Sequence, residues 1–420
     1  MKLPATFRAL EYRNFQLFFA GQLISLIGTW MQNVAQAWLV YRLTHSSVLL
    51  GAVGFSSQIP VFLFAVLGGM VADRFDRRKV VIATQTGAML LAFVLAALTL
   101  SGSVRIWHIF VLSTLLGLVN AFDIPARQSF IVAMVGKADL MNAIALNSSM
   151  FNASRVVGPA VAGILVATIG EGWCFFSNAV SYIAVIAGLL LMRIAEKRRP
   201  ESAGSPLANV GEGFRFVIRN PPVHALLILL GIMSLLAMPF AVLMPIFADR
   251  VLHGGVATLG WLMGWTGVGA LAGALMLATR TELKGLSTWL AAAATGLGCF
   301  LVGFAFSTSL PISSVLLVAA GFCMMIQMGA TNTLVQSMAP DALRGRIMAV
   351  YSMMMMGMTP FGSLLAGAVA DRLGAARTVA LGGAVCVVAA LTFWRLLPRI
   401  RPRARRLIDA QRVAHLEPQG

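Results

Sequence analysis

After its second long apolar stretch the chain reads Gly69-Met-Val-Ala-Asp73-Arg74-Phe-Asp76-Arg77-Arg78-Lys79. A glycine lets two helices approach closely, an acid follows one turn later, and a rigid cluster of arginines comes next. Such a group can make ion pairs and helix-terminus contacts that hold one conformation and release in another. A short cationic loop would explain the charge but not the spacing. Further along, Ser154-Arg155-Val-Val-Gly158-Pro159-Ala-Val-Ala162-Gly163 lies inside another apolar stretch. Gly158 and Ala162 allow close packing, and Pro159 removes a backbone hydrogen bond and gives a compliant point. Such Gly-Pro bends also occur in helices with no special role. Arg155 follows Asp139 by 16 residues, about 24 Å along a helix, which puts it near mid-depth. There it either binds an anionic substrate or braces the helices.

Charge inside an apolar span is costly and marks a functional candidate. Asp123 is the one acid clearly within such a span. Arg127 lies at i+4 and can neutralise it structurally; alternatively the carboxylate carries a proton, the simplest coupling device. The first stretch carries Gln22, Ser25, Thr29, Gln32, Asn33 and Gln36 at 3/4 spacing. Such a stripe is unfavourable against lipid, so it faces protein or water. A substrate cavity lined by Gln32, Asn33 and Gln36, with Asn120 and Gln327 as companions, is the favoured reading, and small-polar helix packing the other. Met353–Met356 and Met358 suit adaptable packing or a pliable substrate surface.

Other chemistries lack their residues. Cys174, Cys299, Cys323 and Cys386 stand singly, with neither CxxC nor Cys/His spacing, so no metal site or disulfide framework is indicated. Gly136-Lys137 is followed by Ala138, not Ser or Thr, which disfavours ATP hydrolysis. There is no HExxH or GxSxG, and no enzyme activity or cofactor is expected. The net charge of +17 would suggest nucleic acid in a soluble domain. No basic stripe with interleaved aromatics accompanies it, so no nucleic-acid partner is expected. The first apolar stretch is too long for a signal-peptide core and lacks an A-x-A site.

The elements that must position these residues follow from composition. Hydrophobic residues are 59% and charged residues 11% of 420, too few charges to coat a soluble fold. Twelve apolar runs of spanning length lie near 15–40, 49–72, 80–100, 106–122, 143–168 and 173–191, then 223–247, 259–279, 286–306, 312–335, 347–369 and 378–397. They are twice the length of barrel strands and continuously apolar, hence helices. With both termini cytoplasmic, 26 Lys and Arg fall inside and five outside, a strong positive-inside asymmetry. The chain divides into a first six-helix half (1–192), a polar linker of little apolar periodicity (193–222), a second half (223–397) and a basic tail (398–420). An internal repeat supports the halves. Leu116-Gly117, Asp123 and Ala162-Gly163 fall on Ala320-Gly321, Gln327 and Ala366-Gly367 at an offset of 204. Two six-helix halves in parallel repeat are the architecture of major facilitator transporters, whose substrate site lies between the halves.

The Gly69–Lys79 string resembles the loop signature of the major facilitator superfamily, with Asp76 where glycine is usual. Ser154–Gly163 resembles its antiporter motif, with Ser154 and Ala162 replacing two glycines. Asn14-Phe-Gln-Leu-Phe, Gly21-Gln-Leu-Ile-Ser-Leu-Ile-Gly, Ala121-Phe-Asp-Ile-Pro-Ala-Arg-Gln128 and Asn142-Ala-Ile-Ala-Leu-Asn147 resemble the transmembrane secretion effector branch, which includes enterobactin exporters and macrolide efflux relatives. Ser113 stands where many proton antiporters carry an arginine four residues before a glycine. The resemblance implies a bacterial inner-membrane, multi-pass, monomeric exporter of small amphipathic molecules such as siderophores or drugs. Rocking of the two halves is expected with it, and proton antiport is expected to run through Asp123 and not through that arginine. A lipid or lysolipid flippase, or a non-transporting receptor of this fold, are the alternatives.

Overall fold

The computed structural model describes residues 5–136, 139–193, 206–280 and 283–416. All regular structure among these residues is helical. After a short 3-10 turn at Ala5–Glu11 come α1 (Arg13–Thr44), α2 (Ser47–Arg74), α3 (Arg77–Leu100), α4 (Ile106–Val135), α5 (Leu140–Ile169) and α6 (Glu171–Leu191). Then follow α7 (Pro206–Arg219), α8 (Pro221–Leu236), α9 (Phe240–Ile246), a π-helical turn (Phe247–Val251), α10 (Gly255–Ala278), α11 (Leu286–Phe306), α12 (Leu310–Met338), α13 (Arg344–Leu373) and α14 (Ala375–Leu416).

Among the described residues eleven segments are long and apolar enough to cross a bilayer, with α8, α9 and the π turn forming one of them. The long helix left out is α1, at 32 residues. The sequence expects a twelfth span at 15–40, within α1, whose polar stripe lowers its hydropathy. Large side chains such as Leu63, Ile312, Val315 and Val388 are exposed, as lipid-facing positions are.

By internal packing the chain forms two compact units, Met1–Ser202 with Met244–Gly267, and Ala203–Leu243 with Val268–Gly420. Segment 244–267, which the sequence division places in the second half, packs with the first unit. Within that unit Gly163 lies against Ala257 and Gly260, and Gly267 lies against the Arg155 carbonyl. The absent Cβ atoms let α5 and the start of α10 touch backbone to backbone. The N-terminal turn is tied to α5: Ala9 N donates to Asn142 Oδ1 at 2.8 Å and the Tyr12 hydroxyl to Asp139 at 2.7 Å. That bond to the Asp139 carboxylate holds the Tyr12 phenol above its usual range.

The internal repeat has a structural counterpart. α5 and α13 are each 30 residues long, contain Pro159 and Pro360, and end at Gly170 and Gly374 with φ of 91° and 83°. Such φ values favour glycine and stop each helix at the same relative point. The described part of the linker, in contrast, is more regular than its sequence suggests. Within 193–222 lies α7, whose Gly213 meets the Arg346 carbonyl of α13 and whose Glu212 pairs with Arg346. Val210, Phe214 and Val217 carry the i, i+4, i+7 signal. The tail likewise continues α14 to Leu416 as helix.

Candidate functional site

Asp76 explains the first motif's departure from glycine. It is the N-cap of α3, and its side chain accepts from Arg78 N at 2.9 Å, filling one of the helix's orphan donor positions. The two arginines after it reach to other helices. Arg77 donates to the carbonyls of Ala72 on α2 and Ser129 on α4, both at 3.2 Å, and pairs with Asp73 at 3.3 Å. Arg78 donates to the Leu189 and Leu190 carbonyls at 2.8 and 2.9 Å. These carbonyls lie in the last turn of α6, where a cation meets the negative end of the helix dipole. The loop therefore staples α2, α4 and α6 together. Asp73 and Arg74 are exposed.

In this conformation the tightest contact of the motif region belongs to the neighbouring glycine. The close approach assigned to Gly69 falls at Gly68, where a Cβ would strike the Ala121 carbonyl and lie 3.1 Å from Phe122 Cα. Gly69, about 100° further round the helix, has open space at that position. Pro125 lacks the N–H that would bond the Ala121 carbonyl, so Gly68 packs against an oxygen the helix leaves free. Proline and glycine recur in this relation. Pro159 frees the Arg155 carbonyl against Gly267, and Pro239 frees the Leu235 carbonyl against Gly362.

Arg127 Nε pairs with Asp123 Oδ2 at 3.2 Å, and Asp123 is only 3% exposed. Two α3 residues complete the shell: Thr84 Oγ1 lies 2.8 Å and Gln85 Nε2 2.9 Å from Asp123 Oδ1. Sequence reading missed both, since they stand 38 and 39 residues away. Both carboxylate oxygens are thus engaged, by donors from α3 and α4.

In the antiporter-like motif Gly158 lies against the Ile27 carbonyl and Trp30 of α1. The Arg155 guanidinium sits 5.7 Å from the Trp30 ring centroid. The polar stripe of α1 divides. Gln32 Oε1 accepts from buried Asn178 at 2.7 Å, and Gln36 Nε2 donates to Ser113 at 3.0 Å. Ser113, at the position of the missing arginine, is thus part of this helix packing. Asn33 is exposed and Asn120 half-buried. Gln327, in the second unit, is fully buried, and its side-chain amide has no hydrogen-bond partner among the described residues.

A cluster that the sequence did not reveal joins α1 to the π turn. The Tyr41 hydroxyl donates to Asp249 at 2.7 Å and accepts from Arg250 Nε at 3.1 Å. Nearby in sequence, Arg42 grips Glu171 through two bonds of 2.8 and 3.3 Å. Among the described residues no group of His, Cys, Asp or Glu is placed to hold a metal ion.

Helices of this order and repeat have the major facilitator fold. The nucleoside transporter NupG matches with a TM-score of 0.71 over 92% of this chain and 98% of its own, at 15% identity. The sequence pattern of the transmembrane secretion effectors matches residues 4–415, and the chain belongs to that family. It is 25% identical to the staphyloferrin A transporter of Staphylococcus aureus over 90% of this chain and 94% of that protein. It is 28% identical to the multidrug efflux pump Tap of Mycolicibacterium fortuitum, covering 83% and 87%, and 26% identical to the enterobactin exporter EntS of Shigella boydii, covering 80% of each. The chain is a small-molecule transporter of the bacterial inner membrane, crossing it many times, and not an enzyme.

Proposed function

We propose that the chain exports small amphipathic molecules, siderophores or drugs, by proton antiport and alternating access, with both termini cytoplasmic and the monomer as the working unit. The direction and substrate class rest on its likeness to an efflux pump and an enterobactin exporter. The coupling reading rests on one observation, the buried carboxylate of Asp123 with Arg127 on Oδ2. Arg127 and a proton compete for that oxygen. A proton arriving there displaces the guanidinium and loosens the cytoplasmic end of α4 beside the Arg77 staple, while departure of the proton restores the pair. Asp73, Arg74, Arg77 and Arg78 then serve the gate, with Gly69 meeting its partner in another state of the cycle. Gly158, Pro159 and Gly163 provide the compliant packing of α5, and Arg155 beside Trp30 suits an anionic or aromatic substrate. Asn33 and Asn120, with no side-chain hydrogen bond among the described residues, suit the substrate path better than Gln32 and Gln36, which are spent on packing. Gln327, a buried amide without a partner among the described residues, is proposed as a substrate-binding group of the second unit.

The test is a substrate screen in a strain lacking its own efflux pumps. Expression should lower cellular accumulation of at least one siderophore or amphipathic drug, and collapse of the proton gradient should abolish the effect. Movement of lysolipid alone would favour the flippase reading. No transport of either class, by protein shown to be inserted, would contradict the proposal.

A further inference from the structure

Three arginines outside the transport machinery meet at one cavity. Arg219, at the end of α7, and Arg403 and Arg406, on the extension of α14, line a cavity of about 410 Å³ together with Asn220, Pro221, Pro222 and Leu407. All of these belong to the second unit. The extension is docked in place, since Arg401 donates to Ser287 and Thr288 at the start of α11. Arg219, Arg403 and Arg406 are exposed, and none pairs with an acid among the described residues. That includes Asp409, three residues beyond Arg406 on the same helix.

Bringing three like charges together costs free energy unless an anion joins them. Guanidinium forks match phosphate oxygens in bidentate geometry. The site's position narrows the source of that phosphate. α8 turns apolar at Val223, just past the cavity, and α14 is apolar up to Leu397, so the cavity lies where both spans leave the hydrocarbon. Exposed Trp394 stands on α14 at that boundary, as interfacial tryptophans do. Pro221, Pro222 and Leu407 give the cavity an apolar side beside its cationic one, which suits a glycerol backbone attached to the phosphate. Basic pockets at this depth hold anionic headgroups.

We propose that this cavity binds the phosphodiester of an anionic phospholipid, held by Arg219, Arg403 and Arg406. The site thereby fastens the α14 extension and the α7–α8 corner to the membrane surface. The full chain in neutral detergent would be titrated with phosphatidylglycerol, phosphatidylcholine or inorganic phosphate and read by native mass spectrometry. Saturable binding of phosphatidylglycerol is expected, weakened about thirtyfold by Arg403→Gln with Arg406→Gln. Arg405→Gln, on the same helix but off the cavity, should leave it unchanged. Three results would overturn the site: unaltered binding by the double variant, equal loss in Arg405→Gln, or inorganic phosphate binding as tightly as the lipid. Should the double variant misfold, Arg219→Gln alone must still weaken phosphatidylglycerol binding severalfold. Wild-type affinity in that single variant would also sink the proposal.

Discussion

Replacing Gly68 and its neighbour Gly69 by alanine, one at a time, separates packing from sequence signature. At Gly68 the new methyl meets the Ala121 carbonyl and lies 2.9 Å from its carbon and 3.1 Å from Phe122 Cα. These are backbone atoms of α4 and cannot swing aside, so α2 and α4 must separate. Overpacking of this kind costs about 1–3 kcal/mol, offset by about 0.8–1 kcal/mol for exchanging a helical glycine for alanine. The net loss of up to about 2 kcal/mol corresponds to a fall in Tm of up to about 8 °C for a unit of this size. At Gly69 nothing lies within 4 Å of the new atom, so the propensity gain stands alone and Tm should rise by about 2–4 °C. Thermal unfolding of the purified protein, followed by a thiol-reactive dye or by scattering, reads both shifts. A fall in Tm for Gly69→Ala equal to that of Gly68→Ala would refute the assignment. A stable Gly69→Ala protein that has lost transport would instead place the role of Gly69 in another conformation.

The other motif residues make separable predictions. Asp76→Ala removes the N-cap of α3 and should cost about 1 kcal/mol, seen as a lower Tm with transport retained at permissive temperature. Asp73→Asn loses one exposed i,i+4 pair, at most about 0.5 kcal/mol, so the protein should insert and fold normally while transport is crippled; normal export would remove the gating claim. Pro159→Leu restores a donor to the Arg155 carbonyl and stiffens α5. Transport should therefore fall by more than Tm does, whereas a loss of activity only in step with misfolding would leave the site a packing feature.

What the sequence revealed and what it hid divide along a physical line. Local relations were legible: the i+4 pairing of Asp123 with Arg127, and the repeat linking α4 and α5 to α12 and α13. Partners chosen by tertiary packing were not. Nothing near Asp123 in sequence points to Thr84 or Gln85, and nothing near Gln32 points to Asn178. The stripe on α1 announced that it avoids lipid, yet a buried amide and a cavity-facing amide look alike until the neighbouring helix is known. Gly68 and Gly69 are indistinguishable by type, and only the rotational setting of α2 against α4 separates them. Helix α7 was within reach through Val210, Phe214 and Val217, but its short span and flanking Ser, Gly and Pro residues masked the period.

The central claim is coupling through Asp123, and transport by the reconstituted Asp123→Asn protein tests it most directly. Asparagine keeps an acceptor for Thr84 and Gln85 but can neither pair with Arg127 as an anion nor take up a proton at neutral pH. Uphill, pH-driven export and downhill substrate exchange would both be measured in proteoliposomes at two pH values. The account predicts that Asp123→Asn abolishes uphill export, removes its pH dependence and spares downhill exchange. Equal damage to both modes, restored by reversing the charges of Asp123 and Arg127 together, would make the pair a structural brace. Full proton-driven export by Asp123→Asn would contradict the account outright.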